Sequence, residues 1–421
     1  MAKSQAPLIQ EIDEVVLPLP SRYVLTNGIE VFDTRLGTED VIKLEVIIHD
    51  ARPFEHKKLV SRLTGQLLKD GAGNKSGKDI AEILDYYGAT LGVSTNMDYT
   101  SITLYTLKKY FEELLALVEL LMTAPLFPEK EYRQLIKRNK HKLALDISKN
   151  DVHAYRAITE KIFGAEHYYG FNSSNEVYDA LQLEDIKSHF QTFYGSTHCQ
   201  IFIAGKTDDH IISLLDKHLG SSLKPKEIQA RPNVSIPKNP HPVKIGVDGS
   251  LQSAIRIGCH TFNRNHPDYC GMFVLNTALG GYFGSRLMTS IREDKGYTYN
   301  IYSMLDPMRF DGFFFIGTEV GTEFTDQAIK DIYTEMDKLC QEPLGAEEYL
   351  MMRRYLLGNM LTTLDGPFNV EDVIRNMLAE DAPLSHFNDL VDTVKHITPI
   401  ELMELAQKYF RPENMWEVIV E

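Results

Sequence analysis

The sequence predicts an α+β fold of two homologous domains, in which each domain is an antiparallel sheet with helices packed mainly on one face. Three observations lead to this prediction. In each half, segments of alternating polarity come first, amphipathic helical segments follow, and a helix and a strand close the half. A proline-rich connector divides the chain near its centre. The halves also share landmarks at a nearly constant offset.

Strands are predicted where apolar and polar side chains alternate. This pattern occurs at 44–48 and 100–105 in the first half, and at 254–258 and 313–316 in the second. The dipeptide at 27–28, Asn-Gly between two apolar runs, predicts a two-residue hairpin. Early strands separated from later helices favour an antiparallel sheet over alternating βαβ units.

The helical segments indicate a duplication. An apolar face with i, i+3, i+4 and i+7 spacing covers 114–121 in the first half and 329–339 in the second. A Pro-Leu pair follows each face, at Pro125 and at Pro343, which lies 218 residues further on. Each half then carries a second long helical segment, near 129–148 and near 346–363.

The closing segments repeat as well, because Phe410 follows Tyr194 by 216 residues in a similar helix-then-strand setting. Five prolines between 225 and 242 make an extended, semi-rigid connector. We therefore predict an N-terminal domain at 1–223, a linker at 224–243 and a C-terminal domain at 244–421.

Composition narrows the functional classes. A net charge of −15, with 43% hydrophobic and 24% charged residues, is typical of a soluble protein and argues against binding to nucleic acid or to an anionic membrane. The four cysteines form no Cys-x-x-Cys pair, which favours free thiols. The polar start of the chain and the lack of a long apolar run lead us to expect a cytoplasmic protein without a membrane segment.

The stretch at 280–299 is the strongest functional signal. Small residues from Gly280 to Ser285 predict a tight turn with close backbone approach, and Arg292 and Tyr299 follow seven residues apart. A guanidinium and a phenol on a rigid scaffold can bind and polarise a peptide carbonyl. The alternative is a surface ion pair for Arg292 and a core position for Tyr299. A phosphate-binding loop is disfavoured because no Gly-Lys-Ser/Thr ending follows the glycines.

The order of these parts resembles the pitrilysin/insulinase family of zinc metallopeptidases, in the short form whose subunits carry two homologous domains. The resemblance rests on segments at 67–71, 80–89, 94–100, 168–170 and 280–299. It implies a peptide substrate, and it identifies Arg292 and Tyr299 with the arginine–tyrosine pair of the family. It also implies that Val93, Ser94 and Thr95 lie on the edge strand to which extended substrates add, although an ordinary sheet strand explains them equally well.

The departure from the family lies in the zinc motif, His-x-x-Glu-His on the first long helix. Alignment on Gly71 places Arg62, Gly65 and Gln66 at the three motif positions, and a one-residue slip places Ser61, Thr64 and Gly65 there. Neither set can bind zinc or act as a general base. The distant glutamate ligand falls near His141 and Lys142, where a lysine would repel a metal ion. We therefore expect no metal in this chain.

Three functions are compatible with these residues. The favoured hypothesis is a non-zinc subunit that supplies Arg292 and Tyr299 to the zinc site of a homologous His-x-x-Glu-His subunit, with a homodimer possible in isolation. The alternative is an inert peptidase-fold binding or assembly protein. The third is an enzyme that uses Cys270 or the neighbours Cys259 and His260, whose side chains would point to opposite faces of a strand.

Overall fold

A computed structural model describes residue 12 and residues 14–421. Residues 1–11, on which the expected location partly rests, lie outside the described part. Each half of the chain builds one main sheet and covers one face of it with its own helices, so the predicted α+β class is confirmed.

The first half forms a six-stranded sheet. Its strands are β1 (Ser21–Val24), β2 (Glu30–Thr34), β3 (Val41–Ile48), β6 (Thr90–Thr95), β7 (Thr100–Leu107) and β8 (Cys199–Gly205), while β4 (Gly71–Ala72) and β5 (Lys75–Ser76) form a separate pair. The strand order is β1-β2-β8-β3-β7-β6, which leaves β6 at an edge. Strands β2 and β8 are parallel, and the other neighbours are antiparallel.

The second half forms a five-stranded sheet. Its strands are β9 (Pro242–Ile245), β10 (Gln252–Thr261), β11 (Ile301–Pro307), β12 (Gly312–Gly321) and β13 (Trp416–Val420), in the order β11-β12-β10-β13-β9. Read in reverse, this order matches β2-β8-β3-β7-β6, and the parallel pair β9–β13 matches β2–β8. The predicted duplication is therefore confirmed. The predicted linker overlaps β9 by two residues, and the domain boundaries themselves stay a prediction.

The predicted hairpin at 27–28 is present between β1 and β2, but its turn has three residues. Leu25 N donates to Ile29 O at 2.9 Å, so that 26–28 form the loop. Gly28 has φ +89°, a left-handed conformation that costs glycine little.

Fourteen helices are described beside the shorter helical turns. They are α1 (Val60–Leu67), α2 (Gly77–Tyr87), α3 (Phe111–Thr123), α4 (Glu129–Ile147), α5 (Asn150–Phe163), α6 (Asn175–Ala180), α7 (Leu183–Phe193), α8 (Asp209–Leu215), α9 (Tyr269–Asn276), α10 (Thr325–Gln341), α11 (Ala346–Thr362), α12 (Pro367–Ala379), α13 (Ser385–His396) and α14 (Pro399–Tyr409). The four helices expected from apolar periodicity correspond to α3, α4, α10 and α11. Within the described range, no helix combines the length and apolar character needed to cross a bilayer.

The two halves exchange one helix each. Helix α5 of the first half packs on β10 and β13 of the second sheet, while α12 of the second half packs on β8 and β2 of the first sheet. Ile158 and Phe163 of α5 share an apolar cluster with Phe313 and Val418. The face of each sheet opposite its own helices is therefore covered by the other half, and the two halves share their cores.

Candidate functional site

Helix α1 is the element that carries the degenerate zinc motif. Leu59, which precedes it, has φ +72° and provides no side-chain cap. The Glu55 carboxylate caps the helix instead, accepting hydrogen bonds from the backbone N–H of Leu59 at 3.1 Å and of Ser61 at 3.0 Å, and from the Ser61 hydroxyl. Burial raises the pKa of Glu55, and the bond from the Ser61 hydroxyl acts in the opposite direction.

A cavity of about 520 Å³ lies between α1 and the edge strand β6. Its lining includes two of the three motif positions, Arg62 and Gln66, and the three residues predicted for the substrate strand, Val93, Ser94 and Thr95. The structure therefore brings together two groups of residues that the sequence analysis identified separately. Strand β6 is an edge strand, and its role in peptide binding stays a prediction.

Gly65, at the motif position of the catalytic glutamate, is pressed against the sheet. A Cβ atom at Gly65 would lie 2.8 Å from Thr95 Oγ1 and 3.2 Å from Thr100 Cγ2. Real Cβ atoms do not approach other atoms at the shorter of these distances, so a larger side chain would push α1 away from β6 and β7. The predicted position of the motif glutamate therefore has no space for a larger side chain.

The residue of α4 that faces the motif is Asn139, and the expectation that placed this position near His141 and Lys142 was wrong. Asn139 is buried and donates from Nδ2 to Gln66 Oε1 at 2.8 Å, whereas His141 and Lys142 are exposed. Two residues along a helix rotate a side chain by about 200°, which explains the error.

The donor set around α1 does not fit a zinc ion. Zinc sites in proteins use imidazole, thiolate and carboxylate ligands. The positions here offer a guanidinium at Arg62, no side chain at Gly65, and two amides, Gln66 and Asn139, bonded to each other. A cationic group beside paired amides would repel a metal ion.

Among the described residues, one acidic group has the spacing of a metal site, and it is formed by Glu45, Glu371 and Asp372. The Lys43 ammonium pairs with Glu371 and lies 3.3 Å from Glu45 and 2.8 Å from Asp372. The ammonium takes the place that a cation would have, so this group is an ion-pair cluster between the two halves.

The glycine-rich stretch of the second half forms a compact turn against the edge strand β11. The wide helical turns Thr277–Gly281 and Met288–Asp294 flank it. A Cβ atom at Gly280 would lie 2.5 Å from the backbone nitrogen of Ser303 on β11, so only glycine allows this approach. Close backbone contact is thus the structural role of the first glycines.

Arg292 and Tyr299 line one open cavity of about 530 Å³. The Arg292 guanidinium lies over the Phe283 ring, 4.9 Å from its centroid, and Tyr299 is 93% exposed. Tyr299 therefore does not fill a core, and Arg292 forms no ion pair with another described residue. The structure brings the two side chains to the same surface, while their catalytic use stays a prediction.

The cysteine-based alternative has no support in the geometry. Cys259 is buried, and burial raises the pKa of its thiol to about 12. His260 is exposed on the other face of β10 and pairs with Asp311. Burial also raises the pKa of Cys270, which makes it a poor nucleophile at neutral pH.

Sequence reasoning missed three residues of the first cavity and its surroundings: Glu55, Arg52 and Asn139. Asn139 lies four residues from both Leu135 and Leu143, two buried positions of α4, so the helical period already placed it on the inner face. Arg52 and Glu55 come from the loop before α1, and no sequence pattern marks them as cavity residues.

Comparison with known proteins agrees with this structure. Residues 180–356 match the family model described as the Peptidase M16 inactive domain. The uncharacterized zinc protease YmxG of Bacillus subtilis (strain 168) is 22% identical over 357 residues, which is 82% of this chain and 84% of that protein. The non-peptidase homolog YmxG of Helicobacter pylori is 21% identical over 371 residues, covering 83% of this chain and 84% of its own length.

A solved structure shows the same fold. The crystal structure of a peptidase M16 inactive domain from Pseudomonas fluorescens has a TM-score of 0.87 at 20% identity, over 95% of this chain and 98% of that chain. The matched segment, the relatives and the shared two-half architecture support the resemblance predicted from the pitrilysin/insulinase-like parts of the sequence. Residues 180–356 are similar to the peptidase M16 inactive domain, the whole chain has the same fold as the solved structure, and the α1 residues do not fit a catalytic zinc ion.

Proposed function

We propose that the chain is the non-zinc subunit of a two-subunit peptidase and supplies Arg292 and Tyr299 to the active site of a homologous partner. The observation that carries this proposal is that one open cavity presents an exposed phenol and a guanidinium that forms no ion pair with the described residues. Both side chains are available to groups outside their own chain. The partner, bearing His-x-x-Glu-His, supplies the metal and the nucleophilic water.

The role of each side chain follows from its chemistry. The Tyr299 hydroxyl donates a hydrogen bond to the substrate carbonyl oxygen as negative charge develops there, and the Arg292 guanidinium binds the peptide backbone. The turn at Gly280 supports both by fixing the adjacent backbone against β11.

A second candidate is an inert peptidase-fold protein that binds peptides or assembles with other subunits. It is favoured by the contact of Arg292 with Phe283, which holds the guanidinium within its own chain. It is also favoured by Tyr299, because the phenol forms no hydrogen bond with the part of the chain that the structure describes.

The test compares the chain alone with the chain mixed with a homologous His-x-x-Glu-His subunit from the same source. We expect no peptide cleavage by the chain alone and cleavage by the mixture. Arg292→Ala and Tyr299→Phe should each lower turnover by about 10²–10³-fold, the effect of losing an oxyanion donor. Arg354→Ala and Tyr86→Phe, at exposed positions outside this cavity, are the matched controls.

Cleavage that both substitutions leave unchanged would favour the inert candidate. Cleavage by the chain alone would contradict both candidates. The specific activity must then rise as the chain is purified, which excludes a contaminating peptidase.

A further inference from the structure

The lining of the cavity between α1 and β6 holds more positive than negative charge, since it contains Arg52 and Arg62 but one acidic residue, Glu55. Arg62 lines it and forms no hydrogen bond or ion pair with another described residue. Arg52 also lines it. Among the described residues, its guanidinium donates to the backbone carbonyls of Phe171, at 3.1 Å, and Tyr168, at 3.5 Å, and lies 4.3 Å from the centroid of the Phe171 ring. Two guanidiniums therefore face one cavity, and neither forms an ion pair with a described residue.

The single carboxylate in the lining, Glu55, does not neutralise them. Its two oxygens accept hydrogen bonds from the first turn of α1, one from Leu59 and the other from Ser61. Burial lowers the pKa of Arg52, and the nearby positive charge of Arg62 lowers this pKa further. The negative charge of Glu55 raises it and so offsets part of the change. The two arginines repel each other across the cavity.

The free edge of β6 borders the same cavity, and its register shows which backbone groups are available. Asn96 N donates to Tyr99 O, so the even-numbered residues of β6 turn their N–H and C=O toward β7. Leu91, Val93 and Thr95 therefore direct their backbone N–H and C=O groups away from β7, toward the free edge. Lys69 Nζ donates a hydrogen bond to Leu91 O at 3.0 Å. The backbone N–H and C=O groups of Val93 and Thr95 remain for pairing with an added strand.

We propose that the former metal position is a carboxylate-binding site: a peptide that pairs with Val93 and Thr95 places an acidic side chain or its C-terminal carboxylate between Arg62 and Arg52. A planar carboxylate accepts two hydrogen bonds from a guanidinium, and an extended peptide brings such a group to the cavity through main-chain pairing. Lys69 limits this pairing to a short segment. The site belongs to the first half alone and does not depend on a partner subunit or on Arg292 and Tyr299.

The test measures binding of short unstructured, fluorescein-labelled peptides to the full chain by fluorescence anisotropy. Four peptides of one sequence combine a free or amidated C-terminus with an internal Glu or Gln, so that the two sources of carboxylate are separated. We expect loss of the preferred carboxylate to weaken binding by about 10–100-fold, the range for a hydrogen bond to a charged group. Raising the salt from about 0.1 M to about 1 M should weaken binding as well.

Arg62→Ala should weaken binding of the preferred peptide by a similar factor and abolish the difference between that peptide and its neutral version, because the two changes remove the same interaction. Arg62→Gln is the second variant, since it keeps the apolar stem. Arg354→Ala makes the same charge change at an exposed position on α11 and should leave binding unchanged. Thermal unfolding of each variant confirms that it is folded.

Equal affinity for all four peptides, or an unchanged preference in Arg62→Ala and Arg62→Gln, would overturn the proposal. Binding of inorganic phosphate without any peptide binding would also overturn it, because the site would then take small anions. Since the measurement uses this chain alone, its failure is distinct from a failure of the proposed peptidase subunit, which is measured as turnover with a partner.

Discussion

The two halves repeat one strand order but differ at their edge strands. In the first half, Gly65 brings α1 against β6, and the adjacent cavity is lined by Arg52 and Arg62. In the second half, Gly280 approaches β11, and the nearby cavity presents an exposed phenol, Tyr299. The repeated scaffold therefore provides a glycine contact and a neighbouring cavity twice, while a few side chains decide the chemistry of each.

The ion pairs that hold the two exchanged helices also differ between the halves. Glu45 on β3 lies opposite Phe202, and Arg256 on β10 lies opposite Val418, the residue 216 positions after Phe202, so Glu45 and Arg256 occupy matching positions. On the first sheet, Lys43 beside Glu45 pairs with Glu371 of α12, whose side chain is 0% exposed. On the second, Arg256 pairs with Asp151 of α5, whose side chain is 51% exposed. The first contact is buried on both sides, whereas the second is exposed only on the Asp151 side, because the Arg256 side chain is 1% exposed.

Substitution of the two ion pairs tests this difference and has the largest expected effect on stability. Lys43→Met leaves Glu371 buried without its cation and should lower the free energy of unfolding by about 3–5 kcal/mol. Asp151→Ala should cost less, about 1–3 kcal/mol, because water can replace the half-exposed carboxylate and Arg256 keeps the carbonyl of Ile255 at 2.8 Å. Urea unfolding of both variants measures the difference, and equal losses would show that the two contacts are equivalent.

Acid sensitivity should also be concentrated in the first half. His49, which follows β3, is buried beside Gln200, and burial lowers its pKa to about 4, with Arg309 acting in the same direction. The folded state then binds fewer protons than the unfolded state between the ordinary pKa of about 6.5 and pH 4. Stability present above pH 6.5 is lost as the pH falls through this window, by at most about 3 kcal/mol.

His49→Gln should flatten the dependence of the free energy of unfolding on pH between about 6.5 and about 4. His141→Gln, at an exposed position of α4, is the matched control and should leave the slope unchanged. If the unsubstituted chain, His49→Gln and His141→Gln all showed the same slope of unfolding free energy against pH, His49 would not be the source of the acid sensitivity.

The smallest expected effect comes from a pair of glycine substitutions in helices. Gly65→Ala should lower the free energy of unfolding by about 1–3 kcal/mol, because the new methyl group meets Thr95 and Thr100. Gly358→Ala, in α11 with no atom within 4 Å of the new Cβ, should raise it by about 0.5–1 kcal/mol. Stabilisation by both changes would show that α1 does not press on β6 as described.

Much of the fold follows from local sequence patterns. The alternating strands, the apolar faces of α3 and α10, and the shared offset near 216 residues were enough to predict two homologous α+β halves. Periodicity is a local property, so it survives in the sequence. The exchange of α5 and α12 between the halves was not predicted, because an apolar helix face does not specify which of two similar sheets it covers.

The candidate sites divide in the same manner. Arg62 and Gln66 were found from their spacing to Gly71, and Arg292 and Tyr299 from their place after the glycine-rich turn. The position facing Gln66 was misplaced, and Arg52 and Glu55 were missed. Side chains from a loop, a helix and a strand meet in one cavity only after folding, and no short motif records such a meeting.

The sequence by itself determined that the first helix lacks zinc ligands and that the chain is a duplicated α+β protein, since residue types and periods can be read along the chain. Only the tertiary structure decided that Gly65 leaves no room for a glutamate, that Asn139 meets Gln66, and that two arginines share a cavity in which neither forms an ion pair with a described residue. Space and charge compensation depend on distances between remote segments, and these are fixed when the segments fold together.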